Sequence, residues 1–324
     1  MPTSPPSSLE EKPVIVIAGP TASGKSALAV DIAERFSGVV INADSMQVYC
    51  GLEVLSSSPE EAMKSRAPHR LYGVLDPAEV CSAGKWRDMA MEEIERAHGE
   101  ALLPIVVGGT GLYLRTLMSG IARMPAIPGD VREHVRALMT TRGSQAMHRE
   151  LRRRDPEMAA RLEPGDRQRI ARAIEILEST GQTMTAWQRG GEVSLAPAGL
   201  RFFTLLIMPP RDELYADCDR RFVEMLETGA LEEARLLGER NLDPALPAMK
   251  ALGVPDLLRH LSGEISREVA CAQGQQATRR YAKRQVTWFR RQIVANLSIS
   301  TKYNEKYKDK FFSDISTFLL TCSG

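Results

Sequence analysis

The sequence lacks the features that mark several common classes of protein. Its 324 residues include five cysteines and five histidines. Cys50, Cys81, Cys218, Cys271 and Cys322 are scattered, as are His69, His98, His134, His148 and His260, and neither set has metal-ligand spacing. No zinc centre and no disulfide framework are expected. The cysteines read as reduced thiols, most of them packing residues, of a cytoplasmic protein. No apolar run approaches the length of a membrane span, so no membrane partner is expected. The Pro/Ser-rich start, Met1 to Lys12, lacks the apolar stretch of a signal peptide and reads as a disordered tail. An excess of one charge is missing too. Forty-two Lys and Arg against 41 Asp and Glu leave a net charge of +1, so any surface for a polyanion must be regional.

What the chain does have is Gly19-Pro20-Thr21-Ala22-Ser23-Gly24-Lys25-Ser26. This fits the phosphate-binding pattern G-x-x-x-x-G-K-[ST]. Val14 to Ala18 before it reads as a short buried strand. Ala27 to Phe36 after it reads as a helix, with Leu28, Ile32 and Phe36 on one face. Glycines let the backbone curl so that its N–H groups converge on an anion, and the helix N-terminus adds a positive dipole end. Lys25 is expected to reach the terminal phosphate, and the Ser26 hydroxyl to ligate Mg²⁺. A di- or triphosphate is the expected ligand, and ATP is one candidate.

Two further strands are predicted in the first third. Val39-Val40-Ile41 follows Gly38, read as a helix C-cap, and runs into Asn42-Ala43-Asp44-Ser45-Met46-Gln47. Leu103 to Val107 follows a helix over Ala83–Ala97 and runs into Gly108-Gly109-Thr110-Gly111. Strands alternating with helices imply an α/β fold with a parallel sheet covered on both faces. Ligands in such sheets sit beyond the carboxyl ends of the strands, where these three segments converge. Residues 125–197 offer no strand and read as a helical insertion, with helices over Val131–Thr141 and Gln168–Thr180. Phe202 to Ile207 returns to the strand pattern. The remainder is mostly helical, including Arg221–Leu237 and Gln275–Val294. The predicted division is therefore a tail (1–12), a core in two parts (13–124 and 198–300), the insertion between them, and a C-terminal segment (301–324).

Four places carry candidate chemistry. Asp44, just past a strand end, suits a metal ligand or proton acceptor, and equally an ordinary turn aspartate. Ser45 and Gln47 offer hydrogen bonds beside it. The glycines around Thr110 allow close approach of a ligand or of a second backbone. Basic charge gathers twice. Arginines crowd Arg142 to Arg172 with acids interleaved, as on many solvated helical faces. Arg279 to Arg291 holds six cations, three aromatics and no acid. There Arg280 and Arg284 share a helix face, while Tyr281, Gln285 and Trp288 share the adjoining one that packs the helix down. Arg221 is the fourth candidate, a cation for a leaving diphosphate.

Together these segments resemble the tRNA dimethylallyltransferases, enzymes that prenylate an adenine beside the anticodon. The resemblance is carried by Gly19 to Ser26, Asp44 to Tyr49, Gly108 to Tyr113, Asp166 to Ile170, Thr180-Gly181-Gln182, Trp187-Gln188 and Thr278 to Phe289, in family order over residues 14 to 291. It implies a P-loop NTPase-like core with a tRNA-binding helical insertion. It also implies that dimethylallyl diphosphate lies in the loop and that the tRNA anticodon stem-loop is the second substrate. On the same resemblance Asp44, Thr110 and Arg221 act at the reacting end. Gly19, Pro20, Thr21, Ala22, Ser23, Gly24, Lys25 and Ser26 hold the diphosphate with Mg²⁺. Asp44, Ser45, Met46, Gln47, Thr110, Arg132, Gln168, Arg169, Ile170, Ala171, Arg172, Arg280 and Arg284 meet the tRNA. The chain departs from the family at Val254-Pro255-Asp256, where a Gly-Tyr pair is frequent, and at Asp217, where a basic residue is frequent. It lacks the zinc-finger spacing of eukaryotic members, so a bacterial-type enzyme is expected; a monomer is expected as well. A P-loop small-molecule kinase and a non-catalytic RNA-binding protein are the competing readings.

Overall fold

The computed structural model describes residues 11–122, 124–190, 193–194 and 196–322. The first ten residues of the expected tail lie outside that range. The sheet has six strands, and every neighbouring pair is parallel. In chain order they are β1 (Lys12–Ala18), β2 (Gly38–Asn42), β3 (His69–Arg70), β4 (Leu103–Gly108), and, after the short pair β5 (Ile121–Ala122) and β6 (Val193–Ser194), β7 (Leu200–Ile207) and β8 (Leu297–Ile299). The spatial order is β3-β2-β4-β1-β7-β8.

Alternation along each strand builds two cores, one on each face. Val14, Val16, Ile41 and Val106 point to a layer containing Trp86, Leu114, Leu237 and Phe289. Ile15, Ile17, Val40, Ile105 and Leu205 point to the other, against Leu28, Ile32, Phe311 and Ile315. Burying each such side chain contributes about 1.5–3 kcal/mol. Helices on both faces are what force the parallel pairing, because each crossover must travel over the sheet. The carboxyl ends of β1, β2 and β4 lie side by side, so the segments that follow them emerge at one edge.

Some local expectations needed revision. Gly38 is not a helix cap. The helix Lys25–Arg35 closes on Phe36, and Ser37 takes the left-handed turn at φ 49°. Gly38 lies within β2, where a Cβ would stand 2.9 Å from the Leu103 carbonyl oxygen. The helix predicted over Arg221–Leu237 is two, Arg211–Glu227 and Ala230–Glu239, because Gly229 at φ 122° turns the chain between them. The apolar spacing runs through that break and hides it. Residues 125–197 do contain strand: Val193–Ser194 pairs antiparallel with Ile121–Ala122, too short to leave an alternating pattern. β8 also went unforeseen, since three residues carry no readable period.

The chain divides into two compact units, one of Met1–Ser119 with Pro197–Gly324 and one of Gly120–Ala196. The second has its own core, with Val135, Leu151, Ile170 and Ile174 at its centre. Asp155 is buried there. Its carboxylate accepts from the Met158 amide at 3.1 Å, the Thr185 amide at 3.1 Å and the Thr185 hydroxyl at 2.7 Å. His148 is buried as well, its Nε2 3.0 and 2.9 Å from the carbonyl oxygens of Ala159 and Leu162, which makes it a structural histidine.

Candidate active site

The loop Gly19–Ser26 joins β1 to the helix Lys25–Arg35, and two glycines give it its curl. Gly24 stands at φ 89° as the residue before the helix. Gly19 stands at φ 156°, and a Cβ there would lie 2.5 Å from the Ile207 carbonyl oxygen. Lys25 folds back so that Nζ donates to the Pro20 carbonyl at 2.6 Å, leaving two of its three donors for a ligand. Burial brings its pKa down to about 8. The Asp44 carboxylate works against that fall, and the Arg221 guanidinium adds to it.

Asp44 is held by its neighbours rather than by chance of a turn. Asn42, fully buried at the end of β2, accepts from the Asp44 amide at 2.8 Å and donates to the Asp44 carbonyl at 3.1 Å. It also donates to the Leu71 carbonyl at 3.0 Å. The Asp44 carboxylate itself accepts from the Met46 amide at 2.9 Å. Thr110 then ties this turn to the end of β4. Its hydroxyl accepts from the Ser45 amide at 2.9 Å and lies 3.2 Å from the Ser45 hydroxyl. Gly108 and Gly109 permit this approach, because a Cβ on Gly108 would overlap the Ala43 carbonyl at 2.1 Å.

The helix Arg267–Gln292 closes the arrangement. Gln285 is buried on it and bridges two loops: Oε1 accepts from the Thr21 amide at 2.9 Å, and Nε2 donates to the Gly109 carbonyl at 2.9 Å. Trp288 packs on Gly111, where a Cβ would come within 2.2 Å of the ring. The packing face read from sequence is thus the face that meets the phosphate loop. Tyr281, one turn earlier, has its hydroxyl pKa pushed up by burial and by Asp44, with Thr110 and Gln285 as hydrogen-bonding neighbours.

Two cavities of about 200 Å³ each result. One is lined by loop residues Thr21 to Ser26 together with Asp44 and Arg221. The other is lined by Asp44, Ser45, Met46, Phe222, Tyr281 and Arg284, among others. Thr21, Asp44 and Arg221 line both. Asp44 and Lys25, distant in sequence, therefore face one space. Arg221 donates to the Thr21 hydroxyl, while its Nε is buried without a hydrogen-bond partner among the described residues. Burial lowers its pKa, and the Cys218 thiol and the Asp44 carboxylate act in the opposite direction. Arg220 is 61% exposed and pairs with Asp217 and Glu224 instead. The Ser23 hydroxyl is a second buried polar group there with no partner among the described residues. Unsatisfied donors gathered beside a lysine and a helix N-terminus are what an anion site requires.

Among the described residues no cluster of His, Cys, Asp and Glu could hold a metal by itself. The donors near the loop are oxygens, the Ser26 hydroxyl and the Asp44 carboxylate, which line one cavity. Such a set fits a hard cation that takes its other ligands from phosphate and water, as Mg²⁺ does.

The remaining predicted residues fall in several places. Gln47 lines the loop cavity, but its amide is engaged, donating to the Ser56 and Ser57 carbonyls at 3.0 and 2.8 Å. Arg280 and Arg284 are exposed on one helix face, and the Arg284 guanidinium lies 5.5 Å from the Tyr281 ring centre. In the second unit Arg132, Gln168 and Arg169 are exposed, Ala171 and Arg172 half-buried, and Ile170 fully buried. The Ile170 side chain therefore serves that unit's core. Asn42, Gln285 and Tyr281 escaped assignment. The only signal for Asn42 was a polar residue closing an apolar strand.

The C-terminal segment also reaches the loop. The Tyr303 amide donates to the Ser23 carbonyl at 3.3 Å, and its hydroxyl donates to Asp31 at 2.7 Å. Lys302 pairs with Asp217 at 2.7 Å, which gives that departure from the family pattern a local partner. Val254-Pro255-Asp256 forms the first turn of the helix Val254–Leu261, with proline where a helix start tolerates it.

Known proteins share the sequence and fold of this chain. The model of the IPP transferase family matches residues 47–292. A tRNA dimethylallyltransferase of Rhodospirillum centenum is 56% identical over 88% of this chain and 90% of its own length. That of Paramagnetospirillum magneticum is 48% identical over 95% and 98%. The structure is similar to that of the tRNA isopentenylpyrophosphate transferase of Bacillus halodurans, with a TM-score of 0.64, 33% identity and 96% of each chain covered. It is also similar to a eukaryotic dimethylallyltransferase solved acting on tRNA, with a TM-score of 0.71 and 29% identity over 86% of this chain and 70% of that one. The six-stranded parallel sheet is the P-loop NTPase-like core of these enzymes, and the chain belongs to the IPP transferase family.

Proposed function

We propose that the chain transfers a dimethylallyl group from dimethylallyl diphosphate to the exocyclic amine of the adenine 3′ to the anticodon, in tRNAs reading codons that begin with U. One observation carries the reading: the Asp44 carboxylate faces the same cavity as the phosphate loop, Lys25 and Arg221. An anion cradle with a single carboxylate at its mouth suits a reaction in which diphosphate leaves as a proton is taken up.

The amine lone pair forms a bond to the allylic carbon, the carbon–oxygen bond to diphosphate breaks, and the amine proton passes to Asp44. That amine is a weak nucleophile, because its lone pair is delocalised into the ring. A carboxylate hydrogen-bonded to it lowers the barrier as the bond forms. Negative charge grows on the departing oxygen, so loop amides, Lys25 and Arg221 stabilise the transition state more than the ground state. Thr110 fixes the Asp44 turn through Ser45. Mg²⁺, held by the Ser26 hydroxyl, would neutralise diphosphate charge when bound. The target base leaves its stack to reach this cavity, at a cost of a few kcal/mol. Cationic contacts to tRNA phosphates offset that cost, from Arg280 and Arg284 on one unit and Arg132, Arg169 and Arg172 on the other, where Gln168 adds a neutral hydrogen bond. Free thiols suit the cytoplasm.

Incubation with prenyl-labelled dimethylallyl diphosphate and unmodified tRNA tests the reading. Label is expected in tRNA. Asp44→Asn is expected to lower kcat about 10²–10⁴-fold while tRNA binding persists. ATP turnover stimulated by a metabolite, with no label in tRNA, would make the chain a kinase. Equal loss of binding and turnover in the variant would make Asp44 a binding residue only.

A further inference from the structure

The segment after the Asp44 turn contains a hydroxyl that the reaction above leaves unused. Ser57 adopts the left-handed backbone at φ 53°, a conformation that is uncommon for a residue with a side chain. Its Oγ is buried and has no hydrogen-bond partner among the described residues. The neighbouring serines differ, since the Ser56 and Ser58 hydroxyls lie 3.0 Å apart and satisfy each other. Ser57 lines the phosphate-loop cavity, beside Lys25 and Arg221, and also the adjoining one.

The segment is firmly held. The Glu233 carboxylate accepts from the Val54 and Leu55 amides at 2.7 and 2.8 Å. The Gln47 amide donates to the Ser56 and Ser57 carbonyls, and the Ser57 amide donates to the Val54 carbonyl at 3.0 Å. Two long side chains from different elements thus fix the backbone that carries one unsatisfied hydroxyl. Buried polar groups without partners are rare, and strained backbone gathers at ligand clamps. Lys25 and Arg221, two cations, line the same cavity and make it a place for an anion. A hydroxyl in that company donates as well, and the acceptor it fits is an anion.

We propose that Ser57 is a further diphosphate-binding residue, its hydroxyl donating to a diphosphate oxygen from the segment that follows Asp44 and not from the loop motif. The proposal rests on the diphosphate reading of the loop. The reacting bond is untouched by it, so Ser57 binds and positions the leaving group.

Calorimetric titration of the full chain with inorganic pyrophosphate tests this. Ser57→Ala and Ser57→Gly are each expected to weaken pyrophosphate binding by about tenfold or more, the effect of one hydrogen bond to a charged group. tRNA affinity is expected to stay at the wild-type value. Glycine adopts φ 53° without strain, so a weakened Ser57→Gly protein that melts no lower than wild type excludes misfolding as the cause. Lys25→Ala serves as the reference for the loop itself. Pyrophosphate binding lost in Lys25→Ala but intact in both Ser57 variants overturns the role of Ser57 and leaves the loop reading standing. Loss confined to tRNA binding overturns it also, by assigning the hydroxyl to the base. Absence of pyrophosphate binding in the wild-type chain overturns both.

Discussion

At Lys25 burial and charge compete, and the outcome can be measured. An ammonium taken out of water loses hydration, and here its pKa falls to about 8 from the ordinary lysine value of 10.5. Between those values the unfolded chain binds a proton that the folded chain does not, so Lys25 makes folding more favourable as pH rises through that window. Ligand binding has the opposite sign. A diphosphate needs the ammonium, so affinity is expected to fall as pH rises above about 8, with proton uptake on binding. Lys25→Arg keeps its charge throughout. Measured from pH 7 to 9.5, the affinity for dimethylallyl diphosphate should break in wild type and stay level in the variant. A break common to both proteins would belong to a different group.

At the scale of the element, the helix Arg267–Gln292 and the C-terminal segment act on the phosphate loop from different sides. Gln285 reaches the loop from the helix and Tyr303 from the segment after β8. Asp31 anchors the latter. Burial pushes its pKa up, but hydrogen bonds from Tyr303, Arg66 and Lys308 outweigh that and set it below the usual carboxylate range. The stability it contributes is present above the ordinary aspartate pKa and is lost as pH falls through the lowered one. Tyr303→Phe is expected to cost about 1–3 kcal/mol, read as a lower denaturation midpoint at pH 7. The deficit should shrink on acidification. A constant deficit down to pH 2 would separate Tyr303 from the Asp31 charge. Gln285→Leu has a different signature. It strands the Thr21 amide and the Gly109 carbonyl, so KM for the diphosphate should rise more than melting temperature falls. The reverse order would make Gln285 a packing residue alone.

For the whole molecule the charge balance matters. With a net charge of +1, attraction to tRNA has to come from patches. The exposed face of the helix Arg267–Gln292 presents Arg280, Lys283, Arg284, Arg290 and Arg291. Many arginines of the second unit are spent on ion pairs within it, among them Arg154 with Glu178 and Arg161 with Glu157. Arg280→Ala combined with Arg284→Ala should weaken tRNA binding and flatten the dependence of log K on log salt by about 1.5. A wild-type slope would take this helix out of the RNA footprint. No helix among the described residues is long and apolar enough to cross a membrane.

The sequence alone determined the phosphate loop, the three strands that end in Asp44 and the glycine turn, the helical insertion and the packing face of the basic helix. Each is written locally, as a turn residue or as a period of two or of 3.6, and the family pattern orders them. Tertiary structure decided the rest. Thr21 and Gln285 lie 264 positions apart, and Thr21 and Arg221 lie 200 apart. Whether Arg220 or Arg221 turns inward depends on how a helix is rotated against its neighbours. Whether Ser57 is satisfied depends on what Gln47 and Glu233 do to its backbone. Such meetings leave no periodic trace, because they arise from elements that only packing brings together.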